Sequence, residues 1–377
     1  MTMNGEREKL SLSKPPASAD KEPVFEVHTP IDDDRPIFLV GPFNDWQVDP
    51  RFQLRQAAPG RHTLPWPLSS PPSLPLEYKY VKGNWDGEEV DPYGSQVNNR
   101  LLTEPKSKIV DTVPRWKSEG RAYKPELLPR IQIIDEHFEI PQLIKTRRIA
   151  ALLPHDYDRS ERRYPVLYLQ DGQNLFDDYA PFGNWAVDKR LAVMAERGTA
   201  DLIIISIDHA ESERIAEFTP SYQTRLGPGD GKKYVRFLAD TLKPYVDKHF
   251  RTLPDRQHTG IGGSSMGGLI SIYAGLMYPE VYGKLMIFSP SLWVAPNIHF
   301  HAINLEESLP TRIYLYAGGA EGANMIPNVE RYREALEKNG LRGTPPEFRL
   351  SVDPQGQHNE ERWGREFPLA AEWLFFS

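Results

Sequence analysis

One serine lies in a sequence context typical of an enzymatic nucleophile. Ser265 is the central residue of the Gly-x-Ser-x-Gly sequence at 263–267, between a short apolar segment at 259–262 and a helix-like run of small residues at 268–278. Where a strand turns sharply into a helix, the serine hydroxyl is held out over the carboxyl edge of a sheet. Glycine-rich turns without any chemistry also connect strands to helices, so the pentapeptide alone leaves both interpretations open.

An acid and a histidine follow this serine in the chain order expected of a catalytic triad on such a frame. Glu321 comes just after an apolar, strand-like segment, and His358 lies in a turn-rich loop after the next one. An imidazole can take the proton of a serine, and a carboxylate on its other nitrogen fixes the tautomer. We therefore expect a triad of Ser265, His358 and Glu321. Asp353 and Glu360, which are close to the histidine in sequence, are alternative acids.

The position of Met266 directly after Ser265 predicts how the negatively charged reaction intermediate would be stabilised. The backbone N–H of Met266, at the start of the helix after the nucleophile, can face a developing oxyanion. Such a site forms an acyl-enzyme that water then releases, and it needs no cofactor. His299 and His301 are two residues apart and lack the four-residue spacing of a helical zinc pair, so we expect no metal site.

Several longer segments resemble a known family. They are YPVLYLQDGQNLF at 164–176, NWAVD at 184–188, EFTP at 217–220, GGSSMGG at 262–268, SPSLW at 289–293 and GQHNEERW at 356–363. On these segments the chain from about residue 131 to 375 resembles the putative esterase (esterase D-like) family of α/β-hydrolases, which includes enterochelin, feruloyl and acetyl xylan esterases. The resemblance implies carboxylic ester hydrolysis by Ser265 and His358, with Gly172 or Gln173 completing the oxyanion hole. Glu321 stands where many relatives carry an aspartate.

Composition limits the classes of protein that the chain can belong to. At 377 residues it exceeds what one hydrophobic core usually organises, so two domains are expected. A net charge of −7 argues against a nucleic-acid binder, which would carry a basic face. The chain has no cysteine, which excludes disulfides and thiol catalysis. No apolar run of membrane-spanning length and no secretory segment is present, so we expect a cytoplasmic protein without a membrane partner; the oligomeric state is open.

The pattern along the chain predicts four regions. Residues 1–22 are polar and should form a disordered tail. Residues 23–105 are rich in proline, aromatics and short β-like runs, which predicts a small immunoglobulin-like β-sandwich. Residues 106–130 are charged and should be a linker with one irregular helix. From 131 to 377, strand-like and helical segments alternate, which predicts an α/β-hydrolase domain with a mostly parallel sheet and helices on both faces.

The N-terminal region also resembles starch- and glycogen-binding β-sandwich modules. The matching segments are GPFNDW at 41–46, EYKYV at 77–81 followed by GNW at 83–85, and VNN at 97–99. In such modules two tryptophans form a platform under glucose rings while a lysine and an asparagine bind hydroxyls, and this maps onto Trp46, Trp85, Lys79 and Asn99. Glucan is therefore a candidate partner, although tryptophans in a small sandwich are often core residues.

Substrate choice is less well specified by the sequence. Loops after the strands should line the pocket, which suggests Trp185, Arg214, Tyr222 and Trp293 as substrate contacts. Together with the N-terminal module, these residues favour a carbohydrate-linked ester of acetyl or feruloyl type. A siderophore ester of the enterochelin kind, or another small-molecule ester with the N-terminal domain purely structural, is the alternative. A non-catalytic glucan-binding protein on a hydrolase scaffold is a second alternative.

Overall fold

The chain divides into two compact units. The computed structural model describes residues 22–30, 34–180, 182–298, 309–339 and 346–377. Unit 1 comprises Met1–Gly120 and unit 2 comprises Arg121–Ser377. Most of the expected disordered tail, together with His299 and His301, lies outside the described residues. Within the described residues, no helix is both long and apolar enough to span a bilayer.

Unit 1 is built from β-strands. The four-stranded sheet has the order β3-β4-β1-β8, the three-stranded sheet has the order β2-β5-β7, and β6 pairs with β9. Their bounds are β1 Val24–His28, β2 Ile37–Val40, β3 Arg55–Ala58, β4 Arg61–Pro65, β5 Leu76–Lys82, β6 Glu89–Val90, β7 Arg100–Leu102, β8 Lys108–Thr112 and β9 Arg115–Trp116. Both larger sheets contribute to one apolar cluster, for example Phe25 and Val27 from β1 with Tyr78 and Tyr80 from β5.

The segment expected to be a linker is partly a strand, which corrects that prediction. Strand β8 pairs in parallel with β1 along its whole length, and Ile109 is buried in the core of unit 1. Its charged residue Asp111 accepts hydrogen bonds from the hydroxyls of Tyr78 at 3.0 Å and Tyr80 at 2.8 Å. Asp111, one of the charges that suggested a solvated linker, is therefore an internal partner of the β-structure.

Unit 2 contains an eight-stranded mixed sheet in the order β10-β11-β13-β12-β14-β15-β16-β17. Strands β10, β11 and β13 pair antiparallel, and the remaining neighbours pair in parallel. The bounds are β10 Arg130–Ile140, β11 Lys145–Leu153, β12 Val166–Gln170, β13 Ile203–Ile207, β14 Thr259–Ser264, β15 Lys284–Phe288, β16 Arg312–Gly318 and β17 Glu347–Asp353. The alternation of strand-like and helical segments predicted such a mostly parallel sheet, and this prediction is confirmed.

Seven α-helices accompany this sheet in the part of the unit that the structure describes. They are α1 Val187–Glu196, α2 Arg214–Phe218, α3 Gly231–Phe237, α4 Lys243–His249, α5 Met266–Met277, α6 Met325–Asn339 and α7 Glu360–Ala371. A π-helical segment at Leu238–Leu242 joins α3 to α4, and another at Glu372–Phe376 continues α7. The helix-like run of small residues predicted at 268–278 therefore forms α5.

The strand order reverses at β12, and this reversal positions the candidate site. Strand β12 lies between β13, which follows it in the chain, and β14, which comes later. In open α/β sheets, a crevice forms outside the carboxyl ends of the strands at such a switch point. The loops that follow β12 and β14 meet there. One carries Asp171 to Asn174 and the other carries Ser265.

Helix α2 is fixed to strand β11 by a buried ion pair. The carboxylate of Glu217 is fully buried and accepts hydrogen bonds from Nη2 of Arg147 at 3.0 and 2.8 Å. Lys145 approaches the same carboxylate at 3.1 Å and also contacts the exposed Glu213 at 2.7 Å. Glu217 belongs to the EFTP segment, so the family-like sequence there has a structural role.

We expect Glu217→Gln to lower the free energy of unfolding of unit 2 by about 3 kcal/mol, because removing one partner leaves the buried Arg147 charge without compensation. Urea denaturation followed by circular dichroism measures the change. Glu213→Gln is the matched control, since it alters the other carboxylate on Lys145 at an exposed position, and it should change stability by less than about 1 kcal/mol. Equal effects of the two variants would contradict the assignment.

A second acid in this region is buried at a cost. Asp208 follows β13 and contacts Arg148 only at 3.5 Å. Burial raises the pKa of Asp208 to about 6, against the opposing effect of Arg148. The folded state therefore holds a proton that the unfolded state releases near the ordinary pKa of 3.8. Stability falls as pH rises through this window, because the folded state binds more protons than the unfolded state.

Asp208→Asn should therefore gain stability relative to the parent as pH is raised from 4 to 7, by up to about 3 kcal/mol, since one pKa unit corresponds to about 1.4 kcal/mol. Urea unfolding curves at several pH values across that range measure the difference. A pH-independent difference between variant and parent would show that the carboxyl does not titrate in this window.

Candidate active site

The backbone at Ser265 is held in an uncommon conformation. Its φ of 55° and ψ of −120° lie outside the broad allowed regions, and such positions typically cost about 1–3 kcal/mol. The surrounding backbone fixes it. The Ser265 N–H donates to the carbonyl of Phe288 at 3.0 Å, and its carbonyl accepts from the N–H of Ser291 at 3.0 Å. The Ser265 hydroxyl lies 3.3 Å from the hydroxyl of Ser291, within hydrogen-bond distance.

The carboxylate of Glu321 is fully buried and has donors on both oxygens. It lies in the short 3₁₀ turn Gly319–Glu321 after β16. Oε2 is 2.7 Å from Nδ1 of His358, while Oε1 accepts from the Ser289 hydroxyl at 2.7 Å and the Gly318 N–H at 2.8 Å. Because a carboxylate only accepts, Nδ1 of the imidazole carries the proton and Nε2 remains a potential base.

Two further residues hold this pair. The indole N–H of Trp363 donates to the Ser289 hydroxyl at 2.9 Å, which directs that hydroxyl toward Glu321. The Trp363 ring also packs edge-to-face on the His358 imidazole, with centroids 4.8 Å apart and planes at 85°. Ser289 is fully buried and has a φ of 44°, so the end of β15 is strained as the end of β14 is.

The two alternative acids have other partners. Asp353 accepts from Nε of Arg362 at 2.8 Å. Glu360 accepts from the side-chain amide of Asn174 at 3.3 Å. Among the three acids that the sequence suggested, Glu321 is the one in contact with the imidazole.

Ser265 and His358 line one cavity of about 730 Å³ at the carboxyl edge of the sheet. Other residues lining it are polar, namely Asp171, Gln173, Asn174, His209, Glu211, Arg214, Ser264 and Glu360, or apolar, namely Phe182, Ile215 and Trp363. Phe182 is 69% exposed and Ile215 is 46% exposed, so both present apolar surface that a ligand could cover. The cavity therefore combines a reactive group with surfaces for recognition.

The turn expected to complete the oxyanion hole lies at the cavity. Residues Gly172–Asn174 form a 3₁₀ turn directly after β12. A side chain at Gly172 would come within 2.5 Å of Ser206 and Asp208, so the backbone packs there as only glycine can. The Gln173 side chain is tied to the backbone of His209 by bonds of 3.1 and 2.9 Å. Met266 begins α5, where its N–H has no carbonyl within the helix to bond.

Arg214 lines the cavity, but its guanidinium is engaged by Asp171. Nε and Nη2 contact the two carboxylate oxygens at 2.5 and 2.8 Å. Burial alone would lower the pKa of Arg214, but the contact with Asp171 outweighs it and raises the pKa. Asp171 has a φ of 58°, so the chain turns sharply at the end of β12 to present this carboxylate. The pair presents little net charge to the cavity.

The other predicted substrate contacts are not among the residues that line this cavity, and their contact with a substrate stays a prediction. Trp185 is buried and stacks on Phe288 with ring centroids 5.4 Å apart. Tyr222 packs against the core of unit 2. Trp293 is 49% exposed on the surface. Large aromatic residues pack favourably in the core, and the sequence alone did not separate that role from ligand contact.

The residues predicted to bind glucan are only partly available in unit 1. The indole N–H of Trp85 donates to the carbonyl of Trp46 at 3.0 Å, so the two tryptophans are neighbours. Trp46 packs against the small cluster around Phe38, whereas Trp85 is 38% exposed. Asn99 donates to Glu77 at 3.0 Å. Glucan binding remains a prediction.

Lys79 does not fit the sugar-binding role that the resemblance gave it. Its side chain is 5% exposed and its ammonium contacts the buried carboxylate of Glu88 at 3.4 Å. A buried charge needs a partner, and Glu88 supplies it within the unit. The alternation of apolar and polar residues at the start of β5 did not indicate this burial, because it placed Lys79 on the polar face, whereas six of the strand's seven residues are buried.

Several residues at the site were not singled out from the sequence. Asp171 and Asn174 lie within the family-like segment 164–176, Ser289 and Ser291 lie within 289–293, and Trp363 ends the segment 356–363. The family-like segments indicated that functional residues lay within them, but did not identify these side chains. Which polar members face the cavity depends on the turns at the strand ends. Among the described residues, no group of three or more potential ligands is placed to hold a metal ion.

Comparison with known proteins identifies the family of this chain. Residues 141–374, more than half of the chain, match the model of the family described as "Putative esterase". An uncharacterized Bacillus subtilis protein, YbbA, is 25% identical over 61% of this chain and 92% of its own length. The ferri-bacillibactin esterase BesA of the same organism is 26% identical over 46% of this chain and 66% of its own length.

A further relative is named for a different activity. An endo-1,4-beta-xylanase/feruloyl esterase of Xylanibacter ruminicola is 24% identical over 41% of this chain, which spans 21% of that protein. Among solved structures, an IroE-like serine hydrolase from Shewanella oneidensis superposes with a TM-score of 0.51 at 18% identity, over 66% of this chain and 80% of that one. The likeness shows that unit 2 has an α/β-hydrolase-type fold. The chain belongs to the putative esterase family, a family of carboxylic ester hydrolases.

Proposed function

We propose that the chain hydrolyses esters through an acyl-enzyme on Ser265, with His358 as base and Glu321 as the residue that orients it. The observation that carries the proposal is the 2.7 Å contact between Glu321 Oε2 and His358 Nδ1, made beside the cavity that Ser265 also lines. This contact leaves Nε2 of the imidazole free to accept the proton of a serine.

In the proposed reaction, the Ser265 hydroxyl exchanges its contact with Ser291 for one with Nε2 of His358 and attacks the ester carbonyl. The proton passes to His358 and then to the departing alcohol, and water repeats the sequence to release the acid. The oxyanion would accept hydrogen bonds from the N–H groups of Met266 and of the turn at Gly172 and Gln173. Catalytic hydrogen bonds are often longer or misaligned before substrate binds.

For the substrate, we infer a carbohydrate-linked ester of acetyl or feruloyl type as the first candidate. Its support is the feruloyl esterase named among the relatives and the exposed apolar surface of Phe182 and Ile215, which suits a flat acyl group. A siderophore ester is the second candidate, because the relative BesA is named as a ferri-bacillibactin esterase. The non-catalytic alternative loses its support with membership of an esterase family.

Parallel kinetics with methyl ferulate, an acetylated xylo-oligosaccharide and a catecholate trilactone distinguish these candidates. A carbohydrate-ester hydrolase should give the highest kcat/KM with one of the first two compounds. A preference for the trilactone of about tenfold or more would replace the first candidate with the second.

Ser265→Ala should lower kcat/KM for p-nitrophenyl acetate by at least about 10³-fold, because it removes the hydroxyl that forms the proposed acyl-enzyme. Release of p-nitrophenol measures the rate. Ser271→Ala is the control: its hydroxyl bonds to the Gly267 carbonyl at 2.7 Å within α5, so the same substitution should leave turnover near that of the parent. Equal turnover in the Ser265 variant and the parent would rule out this nucleophile.

Glu321→Gln should lower kcat by about 10²- to 10⁴-fold with little change in KM, because the imidazole loses the carboxylate that fixes its tautomer and stabilises its charged form. Ser289→Ala should lower kcat less, by about tenfold, since it removes one of the donors to Glu321. Steady-state kinetics with p-nitrophenyl acetate measure both changes.

Asp353→Asn provides the matched control for these variants. It makes the same kind of acid-to-amide change close to His358 in sequence, but at a residue whose partner is Arg362. Its kcat should stay within about threefold of the parent. A loss at Asp353 as large as that at Glu321 would mean that a different acid orients the histidine.

A further inference from the structure

The polar wall of the cavity contains hydrogen-bond acceptors that the proposed reaction does not use. Asn174 lies on the same turn as Gln173 and is 7% exposed, and its Oδ1 has no hydrogen-bond partner among the described residues. A buried polar atom without a partner is rare in a folded protein and needs an explanation. Because Asn174 lines the cavity beside Ser265, a ligand in the cavity is the natural partner.

The orientation of this amide is set by its neighbour. The Nδ2 of Asn174 donates to Oε1 of Glu360 at 3.3 Å. A carboxylate only accepts, so the amide must turn its nitrogen toward Glu360 and leave its oxygen unbonded. Both residues line the cavity, and together they place the amide oxygen and a carboxylate on one wall.

The carboxylate of Glu360 is partly buried and closely packed by its neighbours. Burial raises its pKa, and the nearby Asp171 carboxylate adds to that effect. Gly183, with a φ of 106°, packs against it so closely that a side chain there would lie 3.2 Å from its Cβ. Glu360 is the first residue of α7, whose N-terminus favours negative charge. Burial of the Glu360 carboxylate therefore costs free energy, and the favourable field at the N-terminus of α7 offsets only part of that cost. A group kept in the cavity at such a cost suggests a function there.

No free cation balances these acceptors among the described residues that line the cavity. Arg214 is the one guanidinium among them, and its Nε and Nη2 are paired with the two carboxylate oxygens of Asp171, so the charge of the guanidinium is already balanced within the cavity wall. Glu211 adds another carboxylate to the lining. An anionic ligand would therefore meet like charge without a counterion, whereas a donor group would find acceptors without partners.

We propose that Asn174 and Glu360 form a subsite that binds a hydrogen-bond donor, a hydroxyl or an ammonium group, carried by the ester substrate next to the scissile bond. The inference rests on the proposed function and deepens it, because it restricts the substrate to esters with such a donor and disfavours esters with an anionic group at that place. Sites built to bond a donor discriminate against analogues that lack it.

Two series of small esters test the subsite. The first consists of p-nitrophenyl benzoates that carry methyl, hydroxyl, aminomethyl or carboxylate at the 3- or 4-position. The second places the same substituents on the ring of benzyl acetate, so that the donor can lie on either side of the ester. Dividing each kcat/KM by the rate of alkaline hydrolysis of the same ester removes the intrinsic reactivity.

In at least one series, the hydroxyl or aminomethyl ester should exceed the methyl ester by about tenfold or more, and the carboxylate ester should be the poorest. A higher ratio for hydroxyl than for aminomethyl identifies a neutral donor, and the reverse identifies a cation. Absence of any donor preference in both series, or a preference for the carboxylate, would overturn the subsite. If the parent turns over no ester faster than Ser265→Ala does, the proposed function fails as well, and that result is distinct.

Glu360→Gln assigns the preference to a residue. The variant replaces an acceptor-only group by an amide, so the ratio of the aminomethyl to the methyl ester should fall by about tenfold or more. Glu361→Gln is the matched control, because it makes the same change at the next residue, whose side chain is 65% exposed. An unchanged ratio in folded Glu360→Gln would refute the role of Glu360. If that variant does not fold, the ratios of the donor esters to the methyl esters measured with the parent decide whether the subsite exists.

Discussion

The buried carboxylate of Glu321 joins the parts of unit 2 that make up the candidate site. It accepts from Ser289 at the end of β15, from Gly318 at the end of β16 and from His358 in the loop before α7. Removing a fully buried carboxylate from water is costly, and these donors offset that cost. The same bonds that make the burial tolerable therefore fix where the imidazole lies relative to the sheet.

Strained turns at neighbouring strand ends give the site its shape. Asp171, Ser265 and Ser289 each have a positive φ directly after β12, β14 and β15. Non-glycine residues keep such conformations only where the surrounding structure determines them, and here the parallel sheet and the backbone bonds around Ser265 do so. Each turn directs a polar side chain over the carboxyl edge instead of along the strand, which concentrates reactive groups in one crevice.

The sequence predicted the elements of this frame better than the contacts made by individual side chains. Apolar runs and glycine spacing indicated β14, α5 and the order of Ser265, Glu321 and His358. Strand β10 was not predicted from the sequence. It is an edge strand with register shifts, and its Ile131 and Ile133 are partly exposed, so it lacks a regular apolar face. Burial of Trp185 could not be predicted, since a core tryptophan and a ligand-binding tryptophan have the same local pattern.

The turn after β12 connects the proposed chemistry with the proposed recognition. Gln173 would offer a backbone donor to an oxyanion, while the next residue, Asn174, offers an acceptor to the substrate. Both belong to one 3₁₀ turn, and Gly172 packs it tightly against Ser206 and Asp208. A ligand that bonds to Asn174 would therefore restrain the turn that must hold the oxyanion donor in place. Binding energy gained away from the reacting carbonyl can in this way contribute to the rate of the chemical step.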